Sequence, residues 1–223
     1  MKKRVYLHIR TKLLTRELAP GAEISHRELA KEIGVSFTPV REAIGQLIDE
    51  GMLECHPSRG TFVSELSWED LAELYDIREA LECHAVSKMA GSMSVVDLVK
   101  MDLFTDEMVA VADEVIRSEN PRLNTDLADR WVKSDVAFHM TVLRAAGNRR
   151  ALKITDELRI MAKIFGHREH EQLCDDLLRV CCEHRSIVTA LREGNAVDAR
   201  KAMAEHIRRG CQIDLAAYGL NLK

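Results

Sequence analysis

Four residues of the sequence combine type and spacing in a way that could do chemistry: Asp135, His139, His184 and His206. Asp135 and His139 are four apart, so on a helix they share a face and can grip one ion. Each of the four interrupts an apolar stripe with helical spacing. The first stripe is Ala128, Trp131, Asp135, Phe138, His139, Val142, Ala146. The second is Leu177, Val180, Cys181, His184, Ile187, Val188, Leu191, and the third is Ala199, Ala202, Met203, His206, Gly210, Ile213. A carboxylate or imidazole aimed into a core must be paired. One carboxylate oxygen with three imidazole nitrogens suits a divalent transition ion (Zn, Ni, Mn or Fe) better than Mg or Ca, which take oxygen shells. Helical bundles build metal sites in this manner from facing helices. The pattern leaves a second reading equally open, in which the four residues form a buried hydrogen-bonded network.

Arg78 poses a related question. It lies in the stripe Leu71, Leu74, Tyr75, Arg78, Leu81, Ala85, and an arginine turned toward a core needs an anion. That anion is either a protein carboxylate, such as Glu82 one turn on, or the carboxylate of a small effector. The other histidines are weaker candidates. His167 and His170 sit at a helix break, and His8, His26, His56 and His84 have no partner at ligand spacing. The six cysteines, Cys55, Cys83, Cys174, Cys181, Cys182 and Cys211, contain no C-x-x-C pair. Reduced, buried thiols are expected, not a zinc finger or a redox motif.

These residues need elements to position them. The chain has 223 residues, 46% hydrophobic and 30% charged but only 4% aromatic. That composition describes globular domains with aliphatic helical cores. No apolar run reaches the length of a membrane span, and Arg10 and Lys12 interrupt any apolar core behind the charged N-terminus. A cytoplasmic protein without a membrane partner is expected. From Ser67 onward the pattern is helical, with breaks near Gly91-Ser92, Asn120-Pro121, Gly147-Asn148, 166–170 and Gly194-Asn195. They divide residues 67–223 into about six helices: 68–90, 94–118, 125–146, 149–166, 170–193 and 196–217.

Residues 1–66 read differently. A helix over about Val5–Arg16 carries Val5, Ile9 and Leu13 on one side and ends at Leu18-Ala19-Pro20-Gly21. Ser25-His26-Arg27-Glu28 has the form of a capping box opening a short helix that Gly34 closes. Thr38 as N-cap and Pro39 at the first position would open the next helix, with Val40, Ala43, Ile44, Leu47 and Ile48 on one face. Met52–Cys55 and Thr61–Val63 read as two strands joined by a turn at 56–60. Helix, helix, tight turn, helix and hairpin in that order make a winged helix-turn-helix, whose third helix offers its free face to the major groove. The fold class is therefore mostly α, a winged helix-turn-helix with a small β-hairpin wing followed by an all-α bundle.

Charge agrees with this division. Residues 1–66 have net charge +1 and the remainder −5, and the first 16 residues hold six cations and no acid. Residues at the start of a recognition helix reach base edges, which selects Ser36, Phe37, Thr38 and Arg41. Arg41 can bind guanine through two acceptors, or make a surface ion pair with Glu42. Arg27 would hold a phosphate. Arg59 and Gly60 at the wing tip would enter the minor groove. Phe37 would touch a thymine methyl or cap the domain core.

At this point the residues resemble a known family. The ordered run Leu18-x-Pro20-Gly21, Glu28-Leu29-Ala30, Val35-Ser36-x-Thr38-Pro39-Val40-Arg41-Glu42-Ala43, Glu50-Gly51-Met52 and Arg59-Gly60-Thr61-Phe62-Val63 is similar to the GntR family of transcription regulators. Asp135-x-x-x-His139, Gly147-Asn148, Glu183-His184 and His206 resemble the FadR-type effector domain of that family, called FCD. The resemblance implies a homodimer, a palindromic duplex operator, and control by a small metabolite, often an organic acid. It also favours the metal reading of the four polar residues, and an effector carboxylate held by Arg78, one of the two partners open to it above, could fill the open positions of such an ion. Phe37 departs from the family, which commonly has arginine there.

Two rivals stand beside a metabolite-controlled regulator. In one the ion is itself the signal. In the other the site belongs to a metal-dependent hydrolase or lyase. Against an enzyme stand the fused DNA reader and the lack of a second carboxylate placed as a general base.

Overall fold

The computed structural model describes residues 1–118, 123, 125–165 and 174–216. Among these are nine helices and one three-stranded antiparallel sheet. They are α1 (Lys2–Leu14), β1 (Glu23–Ile24), α2 (His26–Ile33), α3 (Phe37–Asp49), β2 (Leu53–His56), β3 (Gly60–Val63), α4 (Trp68–Met89), α5 (Val95–Arg117), α6 (Thr125–Ala145), α7 (Arg149–Phe165), α8 (Cys174–Glu193) and α9 (Ala196–Ala216). Internal contacts divide them into two units. One is residues 1–69 with 160–165; the other is the remaining described residues.

In the first unit α1 buries the expected stripe of Val5, Ile9 and Leu13. Ser25 Oγ accepts from the Glu28 backbone N–H at 3.3 Å, and Gly34, at φ 71°, ends α2 in the left-handed region. Helix α3 starts earlier than its proline suggests: Ser36 is the N-cap and Phe37 the first helical residue. Pro39 then occupies the third position. Its missing N–H is still one of those with no acceptor in the helix, so the shift costs no hydrogen bond. Val40, Ala43, Ile44 and Leu47 are buried.

The sheet has order β1-β3-β2, with Leu53 opposite Val63 and His56 opposite Gly60. Strand β1 pairs Glu23 with Phe62 and Ile24 with Thr61. At two residues it is too short to show alternation in sequence. The core of this unit also takes in Ile160, Ile164 and Phe165 from the end of α7, an addition no linear boundary at residue 66 can express.

In the second unit α5 packs against α6 and α8, and α8 against α9. Met108, Val111, Ala112 and Val115 of α5 meet Leu127 and Trp131 of α6 and Leu177 and Cys181 of α8. Gly91 and Gly194 allow two inter-helix turns to touch: a Cβ on Gly91 would stand 3.2 Å from the Gly194 Cα, and both have φ near 70°. The helix bounds agree with the sequence reading to within a residue or two. The exceptions are α1, which starts three residues before the expected Val5, and the expected start of α8 at 170 and ends of α7 at 166 and α9 at 217, which lie outside the described residues. No helix among the described residues is long and apolar enough to cross a membrane.

The described cysteines Cys55, Cys83, Cys181, Cys182 and Cys211 are free. Cys83 and Cys181 are buried, but Cys55 and Cys182 are exposed, which corrects the expectation of buried thiols. Cys55 lies on an outward position of β2, and Cys182 falls one helical step off the face that buries Cys181.

Candidate functional site

Helices α6, α8 and α9 bring Asp135, His139, His184 and His206 together. One ligand atom from each lies within 4.8 Å of all the others, and no other such group of three or more was found among the described residues. His139 and His184 are fully buried, His206 is nearly so, and Asp135 is partly exposed. The Nε2 atoms of His139 and His206 are 3.2 Å apart. Asp135 Oδ1 is 3.5 Å from His184 Nε2 and 3.7 Å from His139 Nε2.

The opposite edge of each imidazole faces an oxygen. His184 Nδ1 lies 2.9 Å from the Val180 carbonyl, and His206 Nδ1 3.0 Å from Glu183 Oε2. His139 Nδ1 lies 2.6 Å from Glu82 Oε2, a charge contact that lacks hydrogen-bond alignment. A proton on one Nε2 would make the His139–His206 contact a hydrogen bond; a proton on each Nδ1 would instead leave all three Nε2 atoms as electron-pair donors for one ion. His184 Nε2 is buried and has Asp135 Oδ1, at 3.5 Å, as its nearest recorded polar contact, a separation too long for a well-aligned hydrogen bond.

Charged side chains back this cluster. Arg159 of α7 places Nη2 2.5 Å from Asp135 Oδ2 and Nη1 3.3 Å from Glu82 Oε1. Arg78 Nε donates to Glu82 Oε1 at 3.0 Å, and its guanidinium lies 4.8 Å from the Tyr75 ring centre. Tyr75 in turn donates to Asp214 Oδ2 at 2.5 Å.

Burial works against the charge on Asp135, but the Arg159 guanidinium, helped by His139 and His184, holds its carboxyl well below the usual range. Glu82 is held down likewise, against its burial, by His139, Arg159 and Arg78. Burial lowers His184. Burial, then the neighbouring His184 and His139, lower His206 further. The ionised Asp135 carboxylate beside the His184 and His206 imidazoles, which resist protonation, makes a donor set suited to a cation.

The other candidate surface is in the first unit. Ser36, Phe37, Thr38 and Arg41 are all exposed on the first turns of α3. Ser36 makes no side-chain cap bond, so its hydroxyl is not used by the helix it opens. Arg27 and Arg41 are exposed and make no ion pair among the described residues. Arg59 is exposed at the wing, 5.8 Å from the Phe62 ring centre, and Gly60 has φ 115°, a backbone that side-chain-bearing residues rarely adopt. Lys2, Lys3 and Arg10 line a groove with Gln46 of α3.

Comparisons with known proteins match both parts of the chain. The model of bacterial regulatory proteins of the gntR family matches residues 1–63, and the FCD domain model matches residues 73–209. The chain is a GntR-family transcription regulator with an FCD domain. It is 32% identical over 211 residues to an HTH-type transcriptional regulator of Streptomyces ambofaciens, covering 92% of this chain and 80% of that one. It is 28% identical over 217 residues to the HTH-type transcriptional repressor RspR of Escherichia coli K12, covering 93% and 86%. The solved structure of E. coli McbR/YncC shares the fold, with TM-score 0.80, 19% identity and coverage of 97% and 98%. The names of the family and of these relatives describe DNA-binding regulators, not enzymes.

Within the FCD domain, the sequence reading missed Arg159 and the full role of Glu82. Arg159 carried the same signal as Arg78, a cation beside apolar Leu158 and Ala162 in a helix. Its partners come from α4 and α6, which no spacing rule connects to α7. The Val180 carbonyl has no sequence signal at all. Of the two anions considered for Arg78, the protein carboxylate Glu82 is in place. The remaining histidines join no cluster among the described residues: His8 meets Glu32, His56 meets Glu54, and His26 meets Thr61. His167 and His170 lie outside the described residues.

Proposed function

We propose that this regulator holds one divalent transition ion on Asp135, His139, His184 and His206, and that a small carboxylate effector binds beside it to set operator affinity. The observation that carries the reading is the orientation of the three imidazoles. Each turns Nδ1 to an oxygen and Nε2 into the same four-residue cluster, the outer-shell arrangement that metal-ligating histidines use to fix tautomer and direction. Arg159 acts on Asp135 in the same sense, occupying Oδ2 and leaving Oδ1 toward the histidines. A bound ion supplies positive charge and open positions for an anionic oxygen. The chain's own cations, Arg78 and Arg159, lie at Glu82 and Asp135, and an effector carboxylate would share them with those acids.

On the DNA side, a homodimer acting in the cytoplasm would place two copies of α3 on the half-sites of a pseudo-palindromic operator. Arg41, Ser36 and Thr38 would face base edges, Arg27 a phosphate, and Arg59 with Gly60 the minor groove. Calorimetry with small organic acids, before and after chelation, tests the proposal. Effector binding that survives complete removal of the ion would contradict it.

A second reading has one observation in its favour. Because Arg78 and Arg159 already have protein carboxylates, the site is charge-compensated without an organic anion, and the ion alone could be the signal. In that case ion and operator affinities must be reciprocally linked in the absence of any metabolite.

A further inference from the structure

Phe37 is the first residue of α3, and it is 50% exposed. Whatever its covered half does for the domain core, the other half of its surface is open to a partner. It is not loose. Its ring centre lies 5.7 Å from that of His26, the first residue of α2, with the planes inclined at 37°. His26 Nε2 lies 3.1 Å from the hydroxyl of Thr61, a buried residue of β3. The imidazole is thus fixed between the wing sheet and the phenylalanine, and it props the ring at the opening of the recognition helix. The neighbours of Phe37 are Ser36 and Thr38, both exposed and hydroxylic. An aromatic ring held out in water between two small polar residues is unfavourable in the free protein, and gains only if something apolar covers it.

We propose that Phe37, positioned by His26, reads a thymine C5-methyl group in the major groove of each half-site. The thymine methyl is the apolar feature of the major-groove edge, where the other bases present donors and acceptors. The ring carries no charge to meet a phosphate, and the start of a recognition helix is the part that reaches base edges. His26 is a positioning residue and makes no base contact itself. The proposal rests on the winged-helix reading of residues 1–63, and deepens it by naming the group read at one position.

The test uses the full-length protein and an operator selected from a random duplex library. Each thymine of the selected operator is replaced in turn by deoxyuridine, which removes the methyl and leaves base pairing intact. Wild type should lose roughly fourfold in affinity at one thymine per half-site, the worth of one buried carbon group leaving water. In Phe37→Ala that thymine-to-uridine ratio should fall to one, while the base preferences at other positions persist. His26→Gln, which keeps a polar partner for Thr61 but lacks the ring, should reduce the ratio. That ratio would not respond to a merely structural loss. A uridine-insensitive operator, or a ratio unchanged in Phe37→Ala, would take Phe37 off the base edge and overturn the inference while leaving DNA binding intact. A ratio unchanged in His26→Gln would overturn the positioning role. Failure to select any duplex would instead overturn the winged-helix reading beneath it.

Discussion

Arg159 Nη2 stands 2.5 Å from Asp135 Oδ2, so the carboxylate keeps only Oδ1 for His184 and His139. The same guanidinium reaches the fully buried Glu82. One cation therefore steadies two acids, and a bound ion would take over part of that task.

This makes the cost of losing Arg159 depend on the ion. Arg159→Met should destabilise metal-free protein by about 3–5 kcal/mol, the usual penalty for leaving a buried charge without its partner. With saturating divalent ion the loss should be smaller, because the ion compensates Asp135. Denaturant unfolding of both variants, with and without ion, measures this. Equal losses in the two conditions would place no ion near Asp135.

Glu183 should tune the ion without being a ligand. It holds His206 Nδ1 at 3.0 Å and is itself held by Arg209 at 2.9 Å. Glu183→Ala should weaken ion affinity by about 10–100-fold while leaving the stoichiometry at one. Titration with a competing chelator reads both quantities. Unchanged affinity would mean that His206 is not oriented through Glu183.

At the DNA end, Arg41 and Lys3 should separate. Arg41→Ala should cost about 1–3 kcal/mol and relax preference at one base pair, as expected for a base-edge contact. Lys3→Ala should weaken all sequences alike and reduce the salt dependence. Binding to a panel of single-base operator variants decides between them. Equal, sequence-blind losses would make Arg41 a phosphate contact.

Ion and effector should be coupled. If the ion is the docking point, chelation should abolish effector binding, and reloading should restore it. The effector can move operator affinity only by its differential affinity for the DNA-competent and incompetent forms, typically 1–3 kcal/mol. An effector that shifts operator binding equally well in chelated protein would separate the two sites.

Much of this was legible in the sequence because it depends on local periodicity. The stripes through Asp135, His184 and His206 set their inward phase, and Gly34 and the capping serine bounded α2. The start of α3 was misread because Pro39 is acceptable at more than one first-turn position. Strand β1 was missed because two residues cannot show a pattern. The roles of Arg159, Glu82 and the Val180 carbonyl come from helices meeting in space, and burial of a charge identifies only the need for a partner, not which one. Phe37 was visible as a departure from its family, but its prop, His26, lies eleven positions away on another helix.

The most direct test of the central claim is the metal content of untagged wild type and His184→Ala, measured alongside their thermal unfolding. Wild type should carry about one divalent transition ion per chain, and His184→Ala should lose most of it together with the ion-dependent part of its stability. If the two proteins carry the same trace metal and melt together, the four residues are a hydrogen-bonded core and the metal-centred account is wrong.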